Sequence, residues 1–166
     1  MVILYPGSFD PVTYGHVDIA LRGLKLASRL VIGILNNPVK KSLFSAEERL
    51  VFLQEVFCDY ENVEVNCFSG MLVEYAQTLG AAAILRGVRN FADFETENIY
   101  AANNLAIGNI ETIFMPSKPE LSHVSSSVVR EAASYIYGGS ALEQGDSALQ
   151  QMVPPGVCTA LKRKFR

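Results

Sequence analysis

The segment formed by residues 5–16, YPGSFDPVTYGH, carries a serine hydroxyl and one of the two histidines of the chain. It follows an apolar start and precedes a stretch with helical periodicity. The unpaired N–H groups and the dipole of a helix start make such a loop an anion site. We expect Ser8 to supply a hydroxyl there, and His16 a directed N–H donor for a phosphate oxygen. The alternative is that Ser8, Asp10 or Thr13 only caps the helix, with His16 on the surface.

Basic residues follow two other apolar runs. The run at 30–35 leads into NNPVKK, which contains Lys40, and the run at 82–85 leads into Arg86-Gly87-Val88-Arg89. Two arginines that flank a glycine at the end of a strand can present two cationic forks to one point, with the backbone free to approach a ligand. The pattern at Arg86 and Arg89 therefore favours phosphate binding. A tandem lysine is more often a solvated loop.

Three serines, Ser125, Ser126 and Ser127, stand where another helical pattern begins. A helix start of this kind offers hydroxyls and free backbone N–H groups together, whereas a flexible serine-rich linker would lack the helical pattern that follows. With the histidine, the lysine and the two arginines, these groups exceed what one monophosphate requires. The combination indicates a triphosphate and a second phosphorylated substrate.

The elements that must position these residues alternate strictly between short β-rich runs and helical stretches. The expected strands are 2–5, 30–35, 63–68, 82–85 and 112–115. The expected helices are 16–27, 46–57, 72–79, 94–107, 127–135 and 157–166, and a capping box at Ser45 and Glu48 opens the second one. This alternation predicts an α/β protein with a parallel five-stranded sheet and helices on both faces. All the polar loops would then meet at the carboxyl edge of the sheet.

The composition excludes several classes of protein. A length of 166 residues predicts one domain, 1–166, in which 138–155 is the least regular part and contains one short helix at most. The net charge of −3 argues against a nucleic-acid partner. The three scattered cysteines form no metal or disulfide pattern, and no apolar run reaches membrane-spanning length. We therefore expect a cytoplasmic protein with no membrane partner.

The sequence also limits the chemistry. No serine or cysteine stands in a nucleophile elbow, and no carboxylate pair has a metal-ligand spacing. A dehydrogenase is disfavoured because no G-x-G-x-x-G follows the first strand. Direct phosphoryl or nucleotidyl transfer, driven by positioning and charge neutralisation, fits best.

Four motifs together resemble a known family. Residues 13–16, TYGH, match the T/H-x-G-H signature of the nucleotidyltransferase superfamily, and residues 124–130, VSSSVVR, match its second signature. Within that superfamily, PGSFDPVTYGH, NNPVKK, ILRGVRNFADFETE and MPSK resemble the bacterial phosphopantetheine adenylyltransferases. The resemblance runs from Tyr5 to about Ala133, with the motifs in the same order.

This resemblance implies a reaction and an assembly. ATP and 4′-phosphopantetheine would give dephospho-coenzyme A and pyrophosphate, with Mg²⁺ bound mainly through the ATP phosphates. The fold would be Rossmann-like and doubly wound, the assembly a homohexamer, and coenzyme A a candidate feedback ligand.

The resemblance also implies roles for individual residues. His16 would bind the α-phosphate and stabilise the charge that develops on it, and Ser8 would lie between the phosphates of the two substrates. Lys40 and Arg86 would hold the attacking phosphate, and Leu72 would contact the pantetheine arm. The positions expected to contact ATP are Ser8, Phe9, His16, Gly87, Val88, Arg89, Glu97, Leu121, Ser122, His123, Val124, Ser125, Ser126 and Ser127.

Two departures and two alternatives accompany the resemblance. Thr96 stands where many members carry tyrosine, and the stretch 136–152 is longer than is usual before the final helix. One alternative is a related adenylyl- or cytidylyltransferase acting on another phosphorylated substrate, such as nicotinamide mononucleotide. The other is a nucleotide-sensing module that has lost catalysis, which the presence of His16, Lys40 and Arg86 disfavours.

Overall fold

One parallel sheet of five strands organises the protein. The structure is a computed structural model that describes residues 1–36, 41–139 and 145–165. The strands are β1 (Val2–Gly7), β2 (Arg29–Leu35), β3 (Val63–Phe68), β4 (Ala83–Val88) and β5 (Glu111–Pro116). They are hydrogen-bonded in the order β3-β2-β1-β4-β5, and every pair is parallel. This arrangement confirms the predicted α/β fold with a five-stranded parallel sheet.

Helices connect the strands and close the chain. They are α1 (Tyr14–Leu24), α2 (Ala46–Val56), α3 (Leu72–Thr78), α4 (Phe91–Gly108), α5 (Ser126–Tyr137), α6 (Gly145–Gln150) and α7 (Pro155–Phe165). A short 3-10 turn, Pro119–Leu121, lies between β5 and α5. The expected short helix within 138–155 is α6.

Helix α4 is longer than the sequence pattern predicted, because it begins at Phe91 and not at residue 94. The Asn90 side chain accepts a hydrogen bond from the backbone N–H of Asp93, at 2.9 Å, and so caps the helix three residues earlier. Apolar periodicity alone could not reveal this start, since the first turn of α4 exposes its apolar residues. The predicted capping box of α2 is present, with the Ser45 hydroxyl and the Glu48 carboxylate bonded to each other's backbone N–H groups.

The two faces of the sheet are both covered. Alternate residues of the central strands enter different cores: Ile3 and Tyr5 of β1 belong to the larger core, and Leu4 belongs to the smaller one. The larger core contains residues of α1, α2, α5 and α7, whereas α3 packs on the smaller. Apolar residues on both faces explain why the strands read as continuous hydrophobic runs. The prediction of helices on both faces is confirmed.

The order of the strands determines where a ligand can bind. The chain proceeds from β1 to β2 and β3 on one side, then crosses to β4 and β5 on the other. Parallel α/β sheets hold ligands at the point where this direction reverses, outside the carboxyl ends of the strands. Here that point lies between β1 and β4, so the loop with Ser8 and the loop with Arg86 must be neighbours. Among the described residues, no helix has the length and apolar character needed to cross a bilayer.

Candidate active site

A cavity of about 290 Å³ lies at the carboxyl ends of β1 and β4, beside the starts of α1 and α5. Its walls bring together most of the residues that the sequence predicted for the site. The predicted residues that line it are Ser8, Phe9, His16, Arg86, Gly87, Arg89, Glu97, Val124, Ser125, Ser126 and Ser127. Four separate segments of the chain thus supply one polar cavity.

His16 is held by the backbone at the start of α1. The Thr13 N–H donates to His16 Nδ1 at 3.1 Å, and the Thr13 hydroxyl lies 3.0 Å from the same nitrogen. Since a backbone N–H can only donate, Nδ1 is an acceptor, and the proton of the neutral ring is on Nε2. Within the described part of the chain, Nε2 makes no hydrogen bond, and His16 lines the cavity. The capping box therefore leaves an N–H donor for a ligand.

His16 is neutral at physiological pH. Burial lowers its pKa from the ordinary value of 6.5 to about 4, and the positive charges of Arg89 and Arg86 act in the same direction. Protonation would also turn Nδ1 into a donor that faces the donor of Thr13. The alternative of a surface histidine is therefore wrong, while the cap of α1 is formed by Thr13 and His16 together.

The Phe9 ring packs against the imidazole of His16. Phe9 as a whole is 1 % exposed, and its ring meets the rings of His16 and Tyr5 edge-on, at centroid distances of 5.2 and 5.4 Å. The backbone of Phe9 has φ 46°, a conformation that non-glycine residues rarely adopt. A Cβ atom on Gly7 would lie 2.9 Å from Phe9 Cζ, so the close packing of this ring requires glycine. Because Phe9 is buried, its ring is not available to stack on a ligand.

Arg86 is held by three hydrogen bonds. Its Nε donates to Glu97 Oε2 at 2.7 Å, its Nη2 donates to Glu97 Oε1, and its Nη1 donates to the Pro6 carbonyl at 2.7 Å. Burial opposes the charge of Arg86, but the hydrogen bonds and the charge of Glu97 outweigh it and raise its pKa further. Arg86, on β4, is therefore permanently charged, and its hydrogen bonds to β1 and α4 fix its orientation.

Arg89 is paired in the same way with Asp93, which lies one turn before Glu97 on α4. Its Nε and Nη2 donate to Asp93 Oδ2 and Oδ1 at 2.7 and 3.1 Å. These hydrogen bonds lower the pKa of Asp93. Gly87, between the two arginines, has a second role that the sequence did not show. A Cβ atom there would lie 3.0 Å from Ile19 Cγ1, so the glycine lets α1 pack closely against β4.

The three serines mainly build the start of α5. The Ser125 hydroxyl accepts from the Val128 N–H, the Ser126 hydroxyl donates to the Pro11 carbonyl at 2.8 Å, and the Ser127 hydroxyl accepts from Arg130. The backbone N–H groups of Ser126 and Ser127, by contrast, make no hydrogen bond within the described part of the chain. A helix start with free N–H groups is suited to bind an anion.

The loop after β1 is fastened to its surroundings through Asp10. The Asp10 carboxylate accepts from the backbone N–H groups of Leu43 and Phe44, both at 2.9 Å, and its carbonyl accepts from Arg130. The buried Arg49 donates to the Ser8 carbonyl at 2.7 Å. These bonds fix the backbone on which Ser8 lies.

Some predicted residues do not line the cavity. Val88 ends β4 beside Pro116, and Leu72 begins α3 against the smaller core. Leu121, Ser122 and His123 lie between two lining residues, Ser117 and the buried Val124, and do not line the cavity themselves. Lys40 lies outside the described residues. The ligand contacts of all these residues stay predictions.

The polar lining residues that the sequence did not assign to the site include Asp93, Ser117 and Arg130. Arg130 had a signal, since it lies one helical turn after the serines, within the second signature. Asp93 also had one, because it stands four residues after Arg89, a spacing that favours an ion pair. Ser117 had no signal besides its place at the end of β5.

Within the described part of the chain, no three metal-ligating side chains come together. The two carboxylates of the cavity, Asp93 and Glu97, are both paired with arginine. These residues could therefore hold Mg²⁺ only if the phosphates of a nucleotide supplied most of its ligands. The metal would neutralise part of the charge of a triphosphate there.

The fold and the cavity define a class of protein, the α/β nucleotide-binding transferases. The sequence profile of the family described as Cytidylyltransferase-like matches residues 4–132. A phosphopantetheine adenylyltransferase of Caldanaerobacter subterraneus subsp. tengcongensis is 45 % identical over 166 residues, covering 99 % of this chain and 98 % of the relative. A second one, from Geotalea daltonii, is 41 % identical over 165 residues, covering 99 % of this chain and 96 % of the relative.

Two solved structures share the fold. The bifunctional NMN adenylyltransferase/ADP ribose pyrophosphatase of Francisella tularensis has a TM-score of 0.68 at 13 % identity, and covers 98 % of this chain. This chain spans about half of that protein, 48 %. The lipopolysaccharide core biosynthesis protein of Thermoplasma volcanium GSS1 has a TM-score of 0.51 at 18 % identity, covering 71 % of this chain and 98 % of that one.

The chain belongs to the phosphopantetheine adenylyltransferase family, within the cytidylyltransferase-like nucleotidyltransferases. This membership confirms the family, the enzyme class and the Rossmann-like fold that the motifs predicted.

The ionisation of His16 can be measured directly. We expect its imidazole proton resonances to stay constant from pH 8 to about pH 5 and to titrate with a midpoint near 4. Since this pKa lies below 6.5, the unfolded chain binds the proton first, and protein stability falls as the pH drops from 6.5 towards 4. A proton NMR titration, with the resonances assigned through His123→Gln, checks this. A midpoint near 6.5 for His16 would contradict a half-buried ring that stays neutral.

Proposed function

We propose that this chain transfers the adenylyl group of ATP to 4′-phosphopantetheine, which gives dephospho-coenzyme A and pyrophosphate. The observation that carries the proposal is the neutral His16 N–H, in one cavity with Arg86 and the start of α5. The chain aligns with its phosphopantetheine adenylyltransferase relatives over nearly their whole length. The name of those relatives supports the choice of substrate.

In the proposed mechanism, the phosphate of 4′-phosphopantetheine attacks the α-phosphorus of ATP in line, and pyrophosphate leaves. His16 donates its Nε2–H to an α-phosphate oxygen, where negative charge builds up in the transition state. A donor of fixed direction in a partly dehydrated site stabilises that charge without reorganisation. No side chain needs to form a covalent bond to the nucleotide.

The other groups of the cavity position the two phosphates. Arg86 keeps two N–H donors beyond those used by Glu97 and Pro6, and it would hold the attacking phosphate with Lys40. The free backbone N–H groups of Ser126 and Ser127 would bind ATP phosphate oxygens, and Arg89 and Ser8 would complete the ATP site. Alignment of two bound reactants contributes much of the rate in reactions of this kind. Mg²⁺ would accompany the triphosphate, and coenzyme A is a candidate feedback ligand.

The runner-up is adenylyl transfer to another phosphorylated substrate, such as nicotinamide mononucleotide. The solved NMN adenylyltransferase shares the fold at 13 % identity, which carries no argument about substrate. A pyrophosphate-release assay with ATP separates the two functions. We expect turnover with 4′-phosphopantetheine and none with nicotinamide mononucleotide. Turnover with nicotinamide mononucleotide alone would overturn the proposed substrate.

Replacement of His16 tests the proposed mechanism. We expect His16→Ala to lower kcat by about 100- to 1000-fold while both KM values change little, because the donor acts mainly in the transition state. Tyr135→Ala, which removes an exposed aromatic ring of α5 outside the cavity, is the control and should leave kcat unchanged. Steady-state kinetics with each substrate varied in turn measures both parameters. A His16→Ala enzyme with normal kcat would remove His16 from the chemistry.

We further propose that the chain assembles as a homohexamer and works in the cytoplasm. Helix α4 exposes large apolar side chains, among them Phe91 at 78 % and Ile99 at 61 %, and a second copy of the chain would cover them. The three free cysteines suit a reducing compartment.

Light scattering after size-exclusion chromatography tests the assembly. We expect the wild-type protein to have six times the mass of the chain, and Ile99→Glu to shift it to smaller species, because a buried charge without a partner is costly. The exposed Val51→Glu on α2 serves as the control and should keep the large mass. A wild-type protein with the mass of one chain would contradict the proposal.

A further inference from the structure

Two carboxylates in the first two turns of α4 face the cavity. Asp93 and Glu97 stand four residues apart, and so lie one above the other on one face of the helix. Their side chains are 25 % and 15 % exposed, whereas every other residue from Phe91 to Tyr100 is exposed. Both carboxylates line the cavity. The sequence around them, DFETE, contains a third carboxylate, Glu95, which lies on the exposed side and makes no ion pair within the described part of the chain.

Each of these two carboxylates accepts two parallel hydrogen bonds from one arginine. Asp93 accepts from Nε and Nη2 of Arg89, and in addition from the backbone N–H of Arg89 at 3.3 Å. Glu97 accepts from Nε and Nη2 of Arg86. In both pairs the carboxylate occupies the Nε–Nη2 edge of the guanidinium. The N–H donors that remain are one on Nη1 and one on Nη2 in Arg86, and two on Nη1 and one on Nη2 in Arg89.

Such pairs restrict the arginine far more than a single charge contact would. An arginine side chain has many rotamers, and ordering it on ligand binding costs about 2 kcal/mol of rotamer entropy at most. Two parallel hydrogen bonds set both the position and the plane of the guanidinium. A fork that is already ordered in the free protein loses less entropy when a phosphate arrives.

We propose that Asp93 and Glu97 are positioning residues, which hold the forks of Arg89 and Arg86 so that their remaining N–H donors face the two substrates. Asp93 thereby serves the nucleotide, and Glu97 serves the attacking phosphate. The inference rests on the proposed function, in which Arg89 contacts ATP and Arg86 contacts 4′-phosphopantetheine. The family resemblance implies a direct contact of Glu97 to ATP instead, and each Glu97 oxygen keeps a second acceptor site beyond its bond to Arg86, so the kinetics must separate the two roles.

If the carboxylates instead competed with the substrates for the arginines, the change in KM would have the opposite sign. A carboxylate that competes with a phosphate for the same guanidinium would weaken substrate binding, and its removal would lower KM. A positioning carboxylate strengthens binding, and its removal raises KM. The direction of the change therefore decides between the two roles.

The test compares three substitutions that each remove one carboxylate charge from α4: Asp93→Asn, Glu97→Gln and the control Glu95→Gln. Steady-state kinetics of pyrophosphate release is recorded with each substrate varied in turn. We expect Asp93→Asn to raise KM for ATP about tenfold, and Glu97→Gln to raise KM for 4′-phosphopantetheine about tenfold, each with little effect on the other substrate. Glu95→Gln should leave both KM values unchanged.

A double-mutant cycle shows whether Asp93 acts through Arg89. Arg89→Lys keeps the charge but loses the fork, so it should raise KM for ATP as much as Asp93→Asn does. The double variant should then be no worse than either single one, since both changes break the same pair. Thermal unfolding and light scattering of each variant establish that the fold and the assembly are intact. If Asp93→Asn does not fold, Arg89→Lys alone must still give the ATP-specific loss.

Each contrary outcome overturns the inference. Unchanged KM values for Asp93→Asn, additive losses in the cycle, or a lower KM for ATP would each exclude a positioning role for Asp93. A rise in KM for ATP alone in Glu97→Gln would assign Glu97 to the nucleotide directly. Failure of the proposed function is distinguishable, because the wild-type protein would then release no pyrophosphate with 4′-phosphopantetheine.

Discussion

The hydrogen bond from the Thr13 N–H to His16 Nδ1 is the interaction on which the site depends. It caps α1 and at the same time decides which ring nitrogen carries the proton. Burial keeps the ring neutral, so His16 presents an N–H donor over a wide pH range. A glycine-rich loop can bind phosphate through its backbone, but it cannot place a side-chain donor at a chosen oxygen. The same capping box therefore stabilises α1 and orients the donor that the transfer reaction would use.

The charged side chains of the cavity likewise serve both the fold and the site. Arg86 and Arg89 are each paired with a carboxylate of α4, and Arg130 donates to the Asp10 carbonyl. The arginines thus hold the loops together as well as facing the cavity. A ligand phosphate would meet cations that are already oriented, and the balancing carboxylates limit the repulsion among the cations while the site is empty.

The end of the chain also contributes to the site. The Met152 carbonyl accepts from the Tyr14 N–H at 2.9 Å, and so takes up one of the free donors at the start of α1. Asp146 of α6 accepts from Tyr137 of α5 at 2.5 Å and from Lys162 of α7 at 2.8 Å, and so links α6 to both helices. Helix α6, the short helix that the sequence allowed here, and the residues up to Met152 therefore help to hold the start of α1 next to His16.

The sequence by itself determined the order of the elements, the parallel sheet and the family, because apolar periodicity and short motifs are local properties. It also located most of the cavity residues, since parallel strands bring their carboxyl ends to one edge. Only the tertiary structure decided how those residues act: that Thr13 orients His16, that Asp93 holds Arg89, and that the serine hydroxyls serve α5. Hydrogen-bond partners depend on the direction of side chains in three dimensions, and no spacing along the chain encodes the contact between Arg86 and Pro6.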